Sequence, residues 1–334
     1  MASKHAKKIQ SLIGVAVSLA LIVWMALKID WSQVGTEMQK IQYILLIPCV
    51  LITIVHTVFR CWRWCLLLPT TEIKKPSIAK LFDALMIGNL ATFILPLRAG
   101  EFIRPYVLSL KSEVPFATGF VSIIIERFFD LAAVLLTFGA LVFFIPGIPD
   151  GVVKGAAALS CVAGAIFIAI LLAAFFPAQL ERLARFFARY LPKPVATFGL
   201  TLTESFIGGA HVLSNPLTLF GVLFGTLLVW GSTFALFYVY VDLVGVVPSI
   251  TLAVAIAVIL ALAVAAPSMP GFIGVYQVGC IWAFNLFNHS DEVGITFAIV
   301  THIFQYAVLV LYGGISFLCG GLTMSHLTRR EHVL

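Results

Sequence analysis

Long apolar runs separated by short polar stretches lay the chain out as a series of helical spans. Lys4, Lys7 and Lys8 precede a 19-residue apolar run, Ile9–Leu27, with no small-residue cleavage site after it. That pattern predicts an uncleaved first span with a cytoplasmic N-terminus. Lys28–Gln42 reads as a short loop and Tyr43–Leu66 as the second span. Arg60 and Arg63 lie near the end of that span, where long side chains can snorkel to the headgroups. Phe116–Ile145, Val152–Phe176, Leu217–Val241 and Val293–Leu322 read as the remaining spans. Gly221 and Gly225 give the fifth span a small-xxx-small packing face. Gln179–Tyr190 interleaves Arg182, Arg185 and Arg189 with Leu183, Phe186, Phe187 and Tyr190, the pattern of an interfacial helix on anionic lipid.

Two segments break this pattern. Leu81–Leu95 is apolar for only 15 residues. As helix that is about 22 Å, short of the roughly 30 Å hydrocarbon core. Pro96–Gly100 interrupts it, and a second short piece runs to Leu110. Pro96 removes a backbone donor and Gly100 permits unusual backbone angles, so the segment is predicted as a re-entrant helical hairpin. A partial echo follows 170–171 residues later in Pro267-Ser268-Met269-Pro270-Gly271-Phe272-Ile273-Gly274-Val275-Tyr276, between Ile250–Ala266 and Phe272–Phe287. The expected fold is therefore an all-α polytopic membrane protein. It has about six transmembrane helices plus two re-entrant helical hairpins in an inverted repeat. The whole chain, 1–334, is one transmembrane domain. Repeat one covers about 43–145 (hairpin 81–110) and repeat two about 217–322 (hairpin 250–287).

Charge placement sets the orientation. With six spans and two hairpins, thirteen basic residues fall on the cytoplasmic side, from Lys4 through Lys74, Lys75, Lys80, Lys111 and Arg182–Lys193 to Arg329 and Arg330. Lys28, Lys40 and Lys154 fall outside. Both termini are then cytoplasmic, and the hairpins enter from opposite sides. Of the residues, 61% are hydrophobic and 11% charged. A soluble domain runs nearer 25% charged, so this composition excludes one. The six cysteines form no CxxC spacing, and the chain has no P-loop, HExxH or nucleophile elbow. No cofactor and no metal are expected, and nothing points to nucleic acid.

The residues that stand out are the ionisable ones inside apolar segments, which are functional by default. Arg98, Glu101 and Arg104 flank the first break, and Glu126, Arg127 and Asp130 lie on the third span. Three positive and three negative charges can neutralise one another. Glu126, Arg127 and Asp130 equally fit an ion network that pins the hairpin to the span. Arg98 and Arg104 are read as phosphate ligands, because a guanidinium fork matches phosphate and a helix N-terminus opens beside them. Gly100, Gly271 and Gln277 complete the candidate substrate-binding set, with a second helix N-terminus near Gly271 at the same depth. His302 and Gln305 are read mainly as cross-helix hydrogen-bonding groups and His56 as packing.

Pro96-Leu97-Arg98-Ala99-Gly100-Glu101-Phe102-Ile103-Arg104, followed by Glu126-Arg127-Phe128-Phe129-Asp130, resembles the P-x-R-x-G-E-x-x-R and E-R-x-x-D signatures of the lysylphosphatidylglycerol synthase transmembrane, flippase-like family. Arg60-Cys61-Trp62-Arg63-Trp64 and Pro270-Gly271-Phe272-Ile273-Gly274 look like two further landmarks. In that family the module occurs fused to a cytosolic aminoacyl-transferase domain or alone. The sequence stops twelve residues after the last predicted span. The resemblance therefore implies lipid translocation and not lipid aminoacylation.

The function expected is a lipid flippase in a cell inner membrane. Its partner is a membrane lipid with an anionic or phosphate-bearing headgroup: a phospholipid, an aminoacyl-phospholipid or a polyprenyl-phosphate carrier. It would be a translocase rather than an enzyme, and a homo-oligomer is compatible with the sequence. Two alternatives stay open. One is a membrane-embedded transferase using a polyprenyl-phosphate sugar donor, with Glu101 as base. The other is an ion-coupled small-solute transporter.

Overall fold

The computed structural model describes residues 2–68, 74–95, 99–142, 144, 150–265 and 268–319. Pro96, Leu97, Arg98, Pro267, Arg329 and Arg330 lie outside the described residues. Over the described residues the fold is all-helical, in chain order α1 Ala2–Lys28, α2 Trp31–Met38, α3 Leu46–Leu67, α4 Ile78–Ile94, α5 Gly100–Lys111, α6 Phe116–Val142, α7 Asp150–Phe175, α8 Pro177–Ala188, α9 Lys193–Val212, α10 Pro216–Leu243, α11 Ile250–Ala263, α12 Val275–Asn285 and α13 Asp291–Cys319.

Among the described residues, three helices are long and apolar enough to cross a membrane: Tyr43–Leu67, Pro216–Leu243 and Asp291–Leu318. A fourth span results if Gly14–Lys28 and Trp31–Met38, bent by 87°, count together. Six spans were expected. α6 has the length, at 27 residues, but carries three ionised groups, Glu126, Arg127 and Asp130, close together near its middle.

The loop expected over Lys28–Gln42 instead contains α2. Asp30 caps it, its carboxylate accepting from the Ser32 and Gln33 N–H groups at 2.9 and 3.3 Å, while the Gln33 amide reaches back to Asp30. Asp30 is thus a side-chain N-cap, which local sequence alone can supply. α9, for which no element was expected, packs against α6, α7 and α8.

Helices in a bilayer gain little from the hydrophobic effect and associate through close backbone approach and polar contacts. α4 and α5 follow that rule. A Cβ on Gly88 would lie 2.6 Å from the Cβ of Arg104, and one on Gly100 would strike the Gly88 carbonyl and Thr92. Lys111 pairs with Asp83 at 2.5 Å at the other end. The pairings 83 with 111, 88 with 104 and 92 with 100 make α4 and α5 an antiparallel pair. α3 and α10 meet in the same way: Gly225 lies against Arg63 and Trp62, and Gly221 against Leu66.

The second pair, α11 and α12, packs at Gly279 against Leu260 and Ala263. Between them Gly271, Phe272 and Gly274 have φ of 73°, 60° and 90°, left-handed backbone that glycine adopts without a Cβ penalty and phenylalanine does not. α4 packs against α13, and α11 against α6. α1 covers the second break: the Met269 N–H donates to Ser18 Oγ at 3.0 Å, and Ser18 is fully buried.

A candidate anion site among buried arginines

Three helices deliver one charged cluster. On α3, Arg60, Arg63 and Trp64 stand three and four residues apart and share a face. On α6, Ser122, Glu126 and Asp130 recur every fourth residue. α5 presents Arg104, and Glu101 one turn earlier.

Glu126 is the hub and is completely buried. Arg104 grips it with both nitrogens, at 3.1 and 2.9 Å. Arg127 donates to it at 2.6 Å, and Arg63 and Arg60 lie 3.5 and 3.9 Å away. Asp130 accepts from Arg63 at 2.7 Å and lies 3.3 Å from Arg127. Arg63 also donates to Thr226 of α10 at 3.2 Å. The Arg104 guanidinium lies 3.8 Å from the centre of the Trp64 ring, whose Nε1 donates to Ser122 at 2.8 Å. A desolvated cation over an indole face is favourable. An ion buried at this depth is tolerated only with such compensation.

These contacts correct the expectation that Arg60 and Arg63 snorkel. Arg63 has no exposed side-chain surface, and only 18% of the Arg60 side chain is exposed. Their carboxylate partners sit more than sixty residues away on α6, so sequence neighbours gave no sign of them. One hint was present: Arg60 and Arg63 share a helical face with Trp64. The balance of charge changes as a result. Among the described residues, Arg60, Arg63, Arg104 and Arg127 face Glu101, Glu126 and Asp130, a net of +1 (four minus three) instead of the neutral set expected.

The cluster borders a cavity of about 220 Å³. Arg60, Arg104, Arg127, Glu101 and Gly100 line it from the first half of the chain, and Val264 and Phe272 from the second. α5 begins on this wall at Gly100 with no side-chain cap, so its positive dipole end faces the space. Two more cavities adjoin, of about 260 and 300 Å³. Their walls are mainly apolar and aromatic: Phe82, Phe93, Leu236 and Leu309 in one, Phe93, Phe237, Leu260 and Phe272 in the other. Arg60 and Asn89 belong to both the charged cavity and the first apolar one, and Val264 and Phe272 to both the charged cavity and the second.

Arg104, Glu126, Arg127 and Asp130 are thus brought together, with Gly100 and Glu101 on the same cavity wall. Arg98 lies outside the described residues. Gly271 sits under the Tyr306 hydroxyl, where a Cβ has no room, and sets Phe272 against Phe93 at 5.6 Å between ring centres. Gln277 turns to other work. Its Oε1 accepts from the Gly274 N–H at 2.8 Å, capping α12, and its Nε2 lies 3.1 Å from His302 Nδ1. Gln305 donates to the Tyr276 hydroxyl at 3.0 Å, and that hydroxyl lies 3.0 Å from Thr301 Oγ1. His56, expected only to pack, has Nδ1 3.0 Å from Ser232 Oγ.

A family model described as the lysylphosphatidylglycerol synthase TM region matches residues 11–313. The chain belongs to that family. It is accordingly a multi-pass membrane protein, as its apolar helices require. The chain is also similar to glycosyltransferase AglD of Haloferax volcanii, 25% identical over 128 residues. That match covers 38% of this chain and only 20% of AglD. No solved structure matches the chain.

Proposed function

We propose that the protein moves a lipid with an anionic or phosphate-bearing headgroup between the leaflets of a cell inner membrane, acting as a translocase and not as a chemical catalyst. The observation that carries this reading is the arginine excess on the wall of the charged cavity, where Arg60, Arg104 and Arg127 meet Glu101. That cavity continues into apolar cavities on two sides. A headgroup anion needs the first environment and an acyl or polyprenyl chain the second. The family supports the reading, since it is the transmembrane region of lysylphosphatidylglycerol synthase, a protein named for a phosphate-bearing lipid.

Alternating access is proposed to come from an inverted repeat in which α3–α6 correspond to α10–α13 and the two helix pairs dip in from opposite faces, with both termini cytoplasmic. The exchanged packing supports this: α4 lies against α13 as α11 lies against α6. Broken helices meeting at one depth are the usual construction of such transporters.

The test is headgroup transfer in proteoliposomes containing a fluorescent phosphatidylglycerol, followed by quenching from outside. The wild type is expected to expose both leaflets to the quencher. Arg104→Ala is expected to leave half of the label protected. Transfer by Arg104→Ala at the wild-type rate, or none by the wild type, would refute the proposal.

The likeness to AglD favours one second reading, a transferase that uses a polyprenyl-phosphate sugar donor. Turnover of a labelled donor by purified protein would establish it.

A further inference from the structure

The four arginines are not equivalent, and their inequality shows which one is free to meet a ligand. Arg104 is buried and committed to both oxygens of Glu126. Arg63 is buried and committed to Asp130 and Thr226. Arg127 is held by Glu126 at 2.6 Å and by Asp130 at 3.3 Å. If any of these three turned to a ligand, a buried carboxylate would lose a close partner.

Arg60 differs in how it is held. Its contact with an acid is to Glu126 at 3.9 Å, beyond hydrogen-bond range. Its side chain keeps 18% exposure, more than Arg63 and Arg104; Arg127 is more exposed still, at 43%, but is hydrogen-bonded to Glu126. Among the described residues it is also the arginine that lines both the charged cavity and the apolar cavity bounded by Phe82, Phe93 and Leu309.

Building on the function proposed above, we propose that Arg60 is the residue that receives the ligand's anion. Its guanidinium makes the ion pair at the junction of the two cavities, with the ligand's hydrocarbon continuing past Phe82 and Phe93. Arg63, Arg104 and Arg127 are then positioning residues that fix Glu126 and Asp130. The ligand chemistry this geometry selects is an oxyanion directly attached to a hydrocarbon-bearing backbone, because the cation and the apolar wall are adjacent. A guanidinium binds such an oxyanion through two parallel N–H donors, which an ammonium cannot reproduce.

The test uses the whole protein in mixed micelles, titrated with fluorescent phosphatidylglycerol and, separately, with the fluorescent diacylglycerol analogue, which lacks the oxyanion. Arg60→Gln is expected to weaken phosphatidylglycerol binding by about tenfold or more. It should leave diacylglycerol binding and the thermal unfolding midpoint unchanged, with Arg60→Lys in between. Inorganic phosphate is expected not to displace the lipid; displacement would make the ligand a free anion and overturn the lipid assignment.

A second measurement needs no variant. Phenylglyoxal labelling of the native protein, read by mass spectrometry, should show Arg60 protected by phosphatidylglycerol and Arg127 labelled equally with and without it. Equal labelling of Arg60 in both conditions, or unchanged affinity in a folded Arg60→Gln protein, overturns the inference. Transfer by the wild type together with lipid binding indifferent to Arg60 would sink this assignment alone. Arg60-dependent binding without transfer would sink the translocase instead.

Discussion

The α4–α5 pair and the α11–α12 pair share a helix, a break and a second helix, yet they are held in different ways. α5 is tied to α6 by a bidentate ion pair between Arg104 and Glu126, inside a network that also draws in α3. α12 is tied to α13 by neutral contacts, Gln277 with His302 and Tyr276 with Thr301 and Gln305. The counterparts of Glu126, Arg127 and Asp130 at the 170-residue offset are Thr296, Phe297 and Val300. One region keeps ionised groups in a low-dielectric interior, where each depends on the rest. In the other, each polar contact involves two or three neutral groups and stands largely alone. Under the proposed function the first arrangement would respond to an incoming anion; the second supplies shape at the cavity's far wall through Phe272.

The contrast breaks most sharply at Glu126. Glu126→Gln leaves Arg104 and Arg63 buried without their shared carboxylate. Removing one partner of a buried pair costs about 3–5 kcal/mol. The expected outcome is a large fall in the thermal unfolding midpoint in detergent. A midpoint unchanged from wild type would mean that the arginines are not desolvated as described. The matching change in the second region is Gln277→Leu, which removes a helix cap and one contact to His302. A lost cap costs about 1 kcal/mol. The same unfolding measurement should therefore show a clearly smaller shift, and equal shifts would erase the distinction.

How much of this the sequence disclosed follows from the range of each interaction. The predicted span Tyr43–Leu66 and the helix Tyr43–Leu67 agree within a residue, because hydropathy and length are local. The amphipathic segment Gln179–Tyr190 became α8, Pro177–Ala188, on the same periodicity. The positions of both breaks were legible from proline and glycine. The roles of Arg60 and Arg63 were not. A long cation near a span end fits snorkelling and burial equally well, and only the packing of α3 on α6 distinguishes them. α2 was missed for another reason: the Asp30 N-cap signal was present, but the segment's polarity outweighed it. Gln277 reads as a ligand group in sequence because it follows the break. It serves as a cap because Gly274, with φ of 90°, turns its N–H toward the side chain.

The smallest effect tests where the N-terminal helices join the rest. α1 and α2 meet at a bend of 87°, and beside it Lys28 pairs with Asp291 at the start of α13, at 2.9 Å. Lys28 also lies 4.9 Å from the centre of the Trp24 ring. The Lys28 side chain is 53% exposed, so water and salt screen the pair. Exposed pairs of this kind contribute about 0–1 kcal/mol. Lys28→Ala should thus shift the unfolding midpoint slightly, and added salt should shrink the difference from wild type. The anchoring of α1 rests instead on Ser18, buried and accepting the Met269 N–H at the second break. A large, salt-independent loss in Lys28→Ala would move the anchor from that buried hydroxyl to the surface pair, and with it the account of how the break is covered.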